Sequence, residues 1–190
     1  MPLTSASIES GASLEAVGNT ASGGAGMYLN ENAVFLAKGV GTKVVVSRNA
    51  GGQGGLRIFT GATWTLKEGA VAEISDNVNV INDAGGMWLR GALVVTGHNT
   101  KLLFEGNRVL KNGGGLYQMQ GGTTTVSNGA QLHFVNNTSG EYGGGVCVTD
   151  AGSSLQASGN DTVLSFDGNV AELEGDAVAV LLSATFTIDS

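Results

Sequence analysis

The chain repeats itself about every 30 residues, and no other feature restricts its fold as much. An apolar residue precedes an Asn by three positions in Phe104-Glu-Gly-Asn107, Phe134-Val-Asn-Asn137 and Phe166-Asp-Gly-Asn169. Val46-Ser-Arg-Asn49 and Ile74-Ser-Asp-Asn77 keep the pattern with an aliphatic residue, and Ala16-Val-Gly-Asn19 keeps it in a weaker form. The steps between Asn19, Asn49, Asn77, Asn107, Asn137 and Asn169 are 30, 28, 30, 30 and 32 residues. A unit this small cannot bury its apolar side alone, so it must stack on its own copies. The six Asn are expected to form a structural ladder, each amide bonding to the coils above and below.

Two further columns keep the same period. Eight residues before each Asn stand Gly11, Gly41, Gly69, Asn99, Gly129 and Asp161. All are residue types that tolerate positive φ. Small residues follow them: Ala12, Thr42, Ala70, Thr100, Ala130 and Thr162. After a glycine cluster come Met27, Leu56, Met87, Leu116, Val146 and Val178, each opening a short alternating segment such as Leu56-Arg-Ile58. Such alternation marks a half-buried strand. A second strand is read in Thr-rich runs such as Thr63-Trp-Thr65-Leu66, and a third in runs such as Lys101-Leu-Leu-Phe104. Three short strands per repeat at constant period predict an all-β fold, a right-handed parallel β-helix of about six coils. The hand follows from the bias of parallel crossover connections. Propeller blades, with four strands, need about 40 or more residues.

Composition narrows the function classes. Thirty-two Gly with a single Pro exclude a collagen-like chain. Nine basic against 16 acidic residues, a net charge of −7, oppose nucleic-acid binding and attachment to anionic lipid. No apolar run reaches the roughly 18 residues of a membrane span, so this segment is not expected to insert into a membrane. MPLTSASIES has neither a basic nor an apolar region of a signal peptide, so any secretion signal would lie outside this chain. With Cys147 alone, no internal disulfide framework forms. Asn136, Asn137 and Asn160 open N-x-S/T triplets, which matter only in a eukaryotic secretory route.

Many right-handed β-helices act on acidic polysaccharides, and such sites need Asp, Lys, Arg or His clustered on one strand face. His98 and His133 fall in different columns, one in a turn and one in the third strand. Asp76, Asp83, Asp150, Asp161, Asp167 and Asp176 are scattered; Asp76 and Asp167 share a neighbourhood beside the repeat Asn but lie three coils apart. No pair is set for general acid–base work, no Cys/His cluster suits zinc, and no glycine run carries the Lys and Ser/Thr of a phosphate loop. The expectation is no enzyme, no catalytic residue, no metal site and no cofactor.

The outward position of the strand after the glycine cluster reads Tyr28, Arg57, Trp88, Tyr117, Cys147 and Ala179. Tyr28, Arg57, Trp88 and Tyr117 would lie in line, roughly 4.8 Å apart. These types are enriched at binding hot spots and suit sugar faces, making them candidate binding residues. The competing reading is cross-strand stacking that only stabilises the sheet. Cys147 is read as an exposed, unreactive thiol.

The FxxN units paired with Gly-Gly segments resemble the repeats of the chlamydial polymorphic membrane proteins, whose family pattern is FxxN with GGA followed by Ile, Leu or Val. Here the glycine side reads Gly23-Gly-Ala25, Gly85-Gly86-Met87, Gly114-Gly115-Leu116, Gly144-Gly145-Val146 and Gly175-Asp-Ala177-Val178. The resemblance covers nearly the whole chain. It implies an autotransporter passenger, extracellular or at the cell surface. It further implies an adhesin or spacer whose partner is a host or neighbouring-cell surface protein or glycan. The alternative is a β-helix that binds or acts on polysaccharide with its active coil outside this segment. Residues 1–190 are read as one repeat domain, and the uncapped ends suggest a segment of a longer array.

Overall fold

Five-residue segments in which apolar and polar side chains alternate have one face to bury. Turns that need positive φ bring the chain round to place the next such segment beside the last. The computed structural model describes residues 4–189, which wind into a parallel β-helix with no α-helix among the described residues. The first sheet has seven strands, from Ser5–Glu9 through Thr63–Lys67 to Thr185–Asp189. The second has six, from Ser13–Val17 through Lys101–Glu105 to Val163–Asp167. The third also has six, each of two residues, from Thr20–Ala21 to Val170–Ala171. The fourth runs from Met27–Leu29 through Leu116–Gln118 to Val178–Val180. Strand pairs are parallel and in repeat register: Phe104 faces Ile74 on one side and Phe134 on the other.

Each coil therefore holds four strands, one more than the three expected. The extra strand directly follows the ladder Asn, and two residues are too few to show alternation in a sequence.

The inward residues form one continuous core containing Trp64, Leu66, Leu102, Leu116, Phe104 and Phe134, all fully buried. The Phe104 and Phe134 rings stack at 4.9 Å and 7°, and Phe134 and Phe166 at 5.1 Å and 5°. Strict register makes this stacking face to face, since identical side chains at one position of adjacent strands repeat at the strand spacing. Two polar residues enter the core as a pair, Gln118 and Thr124: Gln118 donates to the carbonyls of Gly122 and Ser154, both at 2.7 Å, and accepts from the Thr124 hydroxyl at 2.6 Å. Its amide is thus satisfied where an unpaired one would be costly.

The turn column behaves as expected: Gly11, Gly41, Gly69, Asn99, Gly129 and Asp161 have φ of 78, 82, 83, 62, 76 and 60°. The turns between first and second sheets also alternate in length. Ser10 to Ala12, Glu68 to Ala70 and Asn128 to Ala130 are short; Gly39 to Thr42, Gly97 to Thr100 and Gly159 to Thr162 are one residue longer. Each Thr closes the gap that the longer turn leaves. Its hydroxyl accepts from the backbone N–H of Gly11, Gly69 or Gly129 in the preceding coil, at 3.2, 3.0 and 3.1 Å.

Candidate functional site

The Asn ladder is present and continuous. From Asn49 onward, each Oδ1 accepts twice from the preceding Asn, through its backbone N–H and its Nδ2. For Asn107 these bonds come from Asn77 at 3.1 and 2.9 Å, and Asn107 donates in the same way to Asn137. Asn19, Asn49 and Asn169 continue the series at both ends. The second Nδ2 hydrogen goes back to the apolar residue of the previous coil: Asn49 to Ala16, Asn77 to Val46, Asn107 to Ile74, Asn137 to Phe104 and Asn169 to Phe134. The three-residue spacing of the motif is therefore one hydrogen-bonded unit spanning two coils. The buried Asn137 is engaged on every side and is closed to glycosylation, while Asn136 and Asn160 lie exposed.

The outward face of the fourth sheet is partly covered, contrary to the exposed stripe expected. Tyr28 is 48 % exposed and Arg57 half-buried, but Trp88 is 5 % and Tyr117 8 % exposed. Trp88, Tyr117, Cys147 and Ala179 form a second apolar cluster with Ala84, against which Phe59, Met119, Tyr142 and Leu181 pack. The backbone just ahead of each fourth-sheet strand runs over this face. A Cβ on Gly113 would meet Cα and Cβ of Tyr117 at 2.7 Å, and one on Gly143 would meet the backbone N of Cys147 at 2.7 Å. Ala84, Gly113, Gly143 and Gly175 take φ of 69, 70, 67 and 73° there. Cys147 is accordingly buried rather than exposed, and burial, then Asp83 and Asp150, push its thiol up to about 12. Burial likewise raises Tyr117 well above the usual tyrosine value.

The uncovered end of this face carries two residues that the sequence reading passed over, Phe59 and Arg90, each two positions beyond the outward column. Arg57, Phe59, Trp88 and Arg90 make a two-by-two checkerboard on adjacent coils. The Arg57 guanidinium lies 4.2 Å from the Phe59 ring centroid and 4.5 Å from that of Trp88; Arg90 lies 4.4 Å from Trp88 and 5.9 Å from Phe59. Phe59 meets Trp88 at 5.7 Å and Tyr28 edge-on at 5.8 Å. Cation–π attraction holds these positions. Burial lowers the Arg57 guanidinium from its usual value; Tyr28 opposes this, and Arg90 adds to it.

The remaining candidates stay apart. His98 is exposed in a turn, while His133 in the second sheet bonds Ser165 Oγ at 2.6 Å and Gln131 Oε1 at 3.2 Å. Asp83 accepts from the Asn112 amide at 2.7 Å. Among the described residues no group of His, Cys, Asp or Glu is placed to hold a metal ion, and no helix is long and apolar enough to cross a membrane.

Stacked coils, a continuous Asn ladder and a lateral aromatic face define a tandem-repeat parallel β-helix. Residues 101–118 match the Chlamydia polymorphic membrane protein (Chlamydia_PMP) repeat, and the repeat is of this type. The matched stretch runs from the second-sheet strand Lys101–Glu105 through Asn107 and Gly114-Gly115 to the fourth-sheet strand Leu116–Gln118. No curated protein and no solved structure matches the chain.

Proposed function

We propose that this chain is a non-enzymatic passenger-type β-helix displayed at a cell surface. There its stacked coils hold an adhesive face toward a host or neighbouring cell. The observation that supports this most is the polymorphic membrane protein repeat in the fourth coil, on a helix whose other coils carry the same ladder. The lateral aromatic–arginine face supplies the residue types that dominate binding energetics. The test is attachment of beads coated with the 190-residue chain to cultured epithelial cells. Coated beads are expected to bind well above albumin-coated beads, with soluble chain competing. Binding no better than albumin, by a chain whose circular dichroism shows the fold, would end the adhesive reading.

A further inference from the structure

We propose that Arg57 and Arg90, flanked by the exposed ring of Tyr28, bind the carboxylate or sulfate groups of an acidic saccharide chain. The proposal takes its biological setting from the surface reading above and stands on its own geometry. Two guanidiniums sit on neighbouring coils of a protein with net charge −7, yet neither is within ion-pair distance of a carboxylate among the described residues. The ion pairs there are Lys38–Glu9, Lys43–Glu73 and Lys67–Glu68, all through Lys and all elsewhere. Both Arg Nε atoms are buried without a hydrogen-bond partner. Asp83, which approaches this face, is held by Asn112.

A guanidinium normally meets a carboxylate or phosphate through paired donors, and the half-buried heads of Arg57 and Arg90 meet neither among the described residues. The Phe59 and Trp88 rings hold the two cations at diagonal corners against their mutual repulsion but supply no acceptor atoms. The missing partner is an anion. Cations set diagonally on adjacent coils, beside a half-exposed ring, fit a polymer with repeated acid groups and flat pyranose faces. An acidic peptide fits less well. It would draw affinity from pairing with a free strand edge, and on this lateral face the strands Leu56–Ile58 and Met87–Leu89 are already paired to neighbours on both sides.

Titration of the 190-residue chain with heparin, polygalacturonate, neutral dextran and poly-glutamate tests this. Heparin separates a sulfate preference from the carboxylate preference that polygalacturonate reports. Binding to at least one of these two, none to dextran, and a loss of about tenfold or more in R57Q/R90Q are expected. R48Q/R108Q removes the same charge from exposed sites on other faces and should bind as the parent does. Should R57Q/R90Q melt early, Tyr28→Ala, at an exposed position, serves instead and is expected to weaken binding several-fold. The proposal falls if the parent binds neither polysaccharide, if R48Q/R108Q loses as much as R57Q/R90Q, or if poly-glutamate binds as tightly with the same arginine dependence. Saccharide binding without cell attachment would uphold the site and remove the adhesive reading. Attachment that survives R57Q/R90Q, with no saccharide bound, would do the reverse.

Discussion

Replacing Asn107 by Ala removes four side-chain hydrogen bonds from the middle of the ladder. Two are accepted from Asn77, and one each is donated to Ile74 and Asn137. The backbone N–H of Asn77 then loses its acceptor in a fully buried site. That alone costs about 1–3 kcal/mol. The two donated bonds add about 1 kcal/mol each, giving roughly 3–5 kcal/mol. In a chain of this size each kcal/mol lowers the melting point by about 2–4 °C, so a drop of roughly 10 °C is expected by circular dichroism. Asn19→Ala is the internal control. It loses only the Nδ2 bond to Asn49 at an exposed end of the ladder, which costs less than about 1 kcal/mol. If Asn107→Ala melts with Asn19→Ala, the ladder does not hold the coils together.

Gly129, at φ 76° and with a virtual Cβ against the His98 ring, should tolerate Asn better than Val, because β-branching opposes the left-handed region; equal chemical denaturation midpoints would refute this. Cys147, with its thiol raised from 9.0 to about 12, should react with an aromatic disulfide reagent only after unfolding. The raised thiol also favours the folded state below its unfolded value, so stability should fall as pH rises above about 9 and do so less in Cys147→Ala. His133 is held below its usual value by burial and by Lys101. Its contribution should be present above about pH 6.5 and be lost as pH falls through the lower folded value, a slope that His133→Gln removes; parallel melting curves for the two proteins would contradict it.

The ladder and the Phe stack were legible because each is written at one position per repeat with one residue type. Asn107 and Phe104 could be placed from spacing alone, since the Asn of one coil bonds the carbonyl of the apolar residue in the coil before it. The two-residue strands such as Val78–Asn79 left no alternation to read. The outward face was misjudged for a different reason. Local pattern tells which way Trp88 and Cys147 point, but not that the backbone at Ala84 and Gly143 folds over them. Gly113 and Gly143 let the backbone pass closely over side chains, a role that spacing alone does not distinguish from a turn. Arg90 was visible as a residue, but its column, with Asn30, Phe59, Met119, Thr149 and Leu181, mixes polar and apolar types and shows no repeat signal.

The alternation of Thr and Ala turns bears on how such an array can be inherited. Every Thr hydroxyl reaches a short Gly-Ala turn in the coil before it, so the unit that tiles without a mismatch is a pair of coils. Loss of one coil by unequal recombination would set two long turns, or two short ones, against each other and strand either a hydroxyl or an N–H. Loss or gain of two coils would join a long turn to a short one as before. Lineages of this repeat should therefore change length in steps of about 60 residues, with odd steps surviving only where the turn at the junction has also changed.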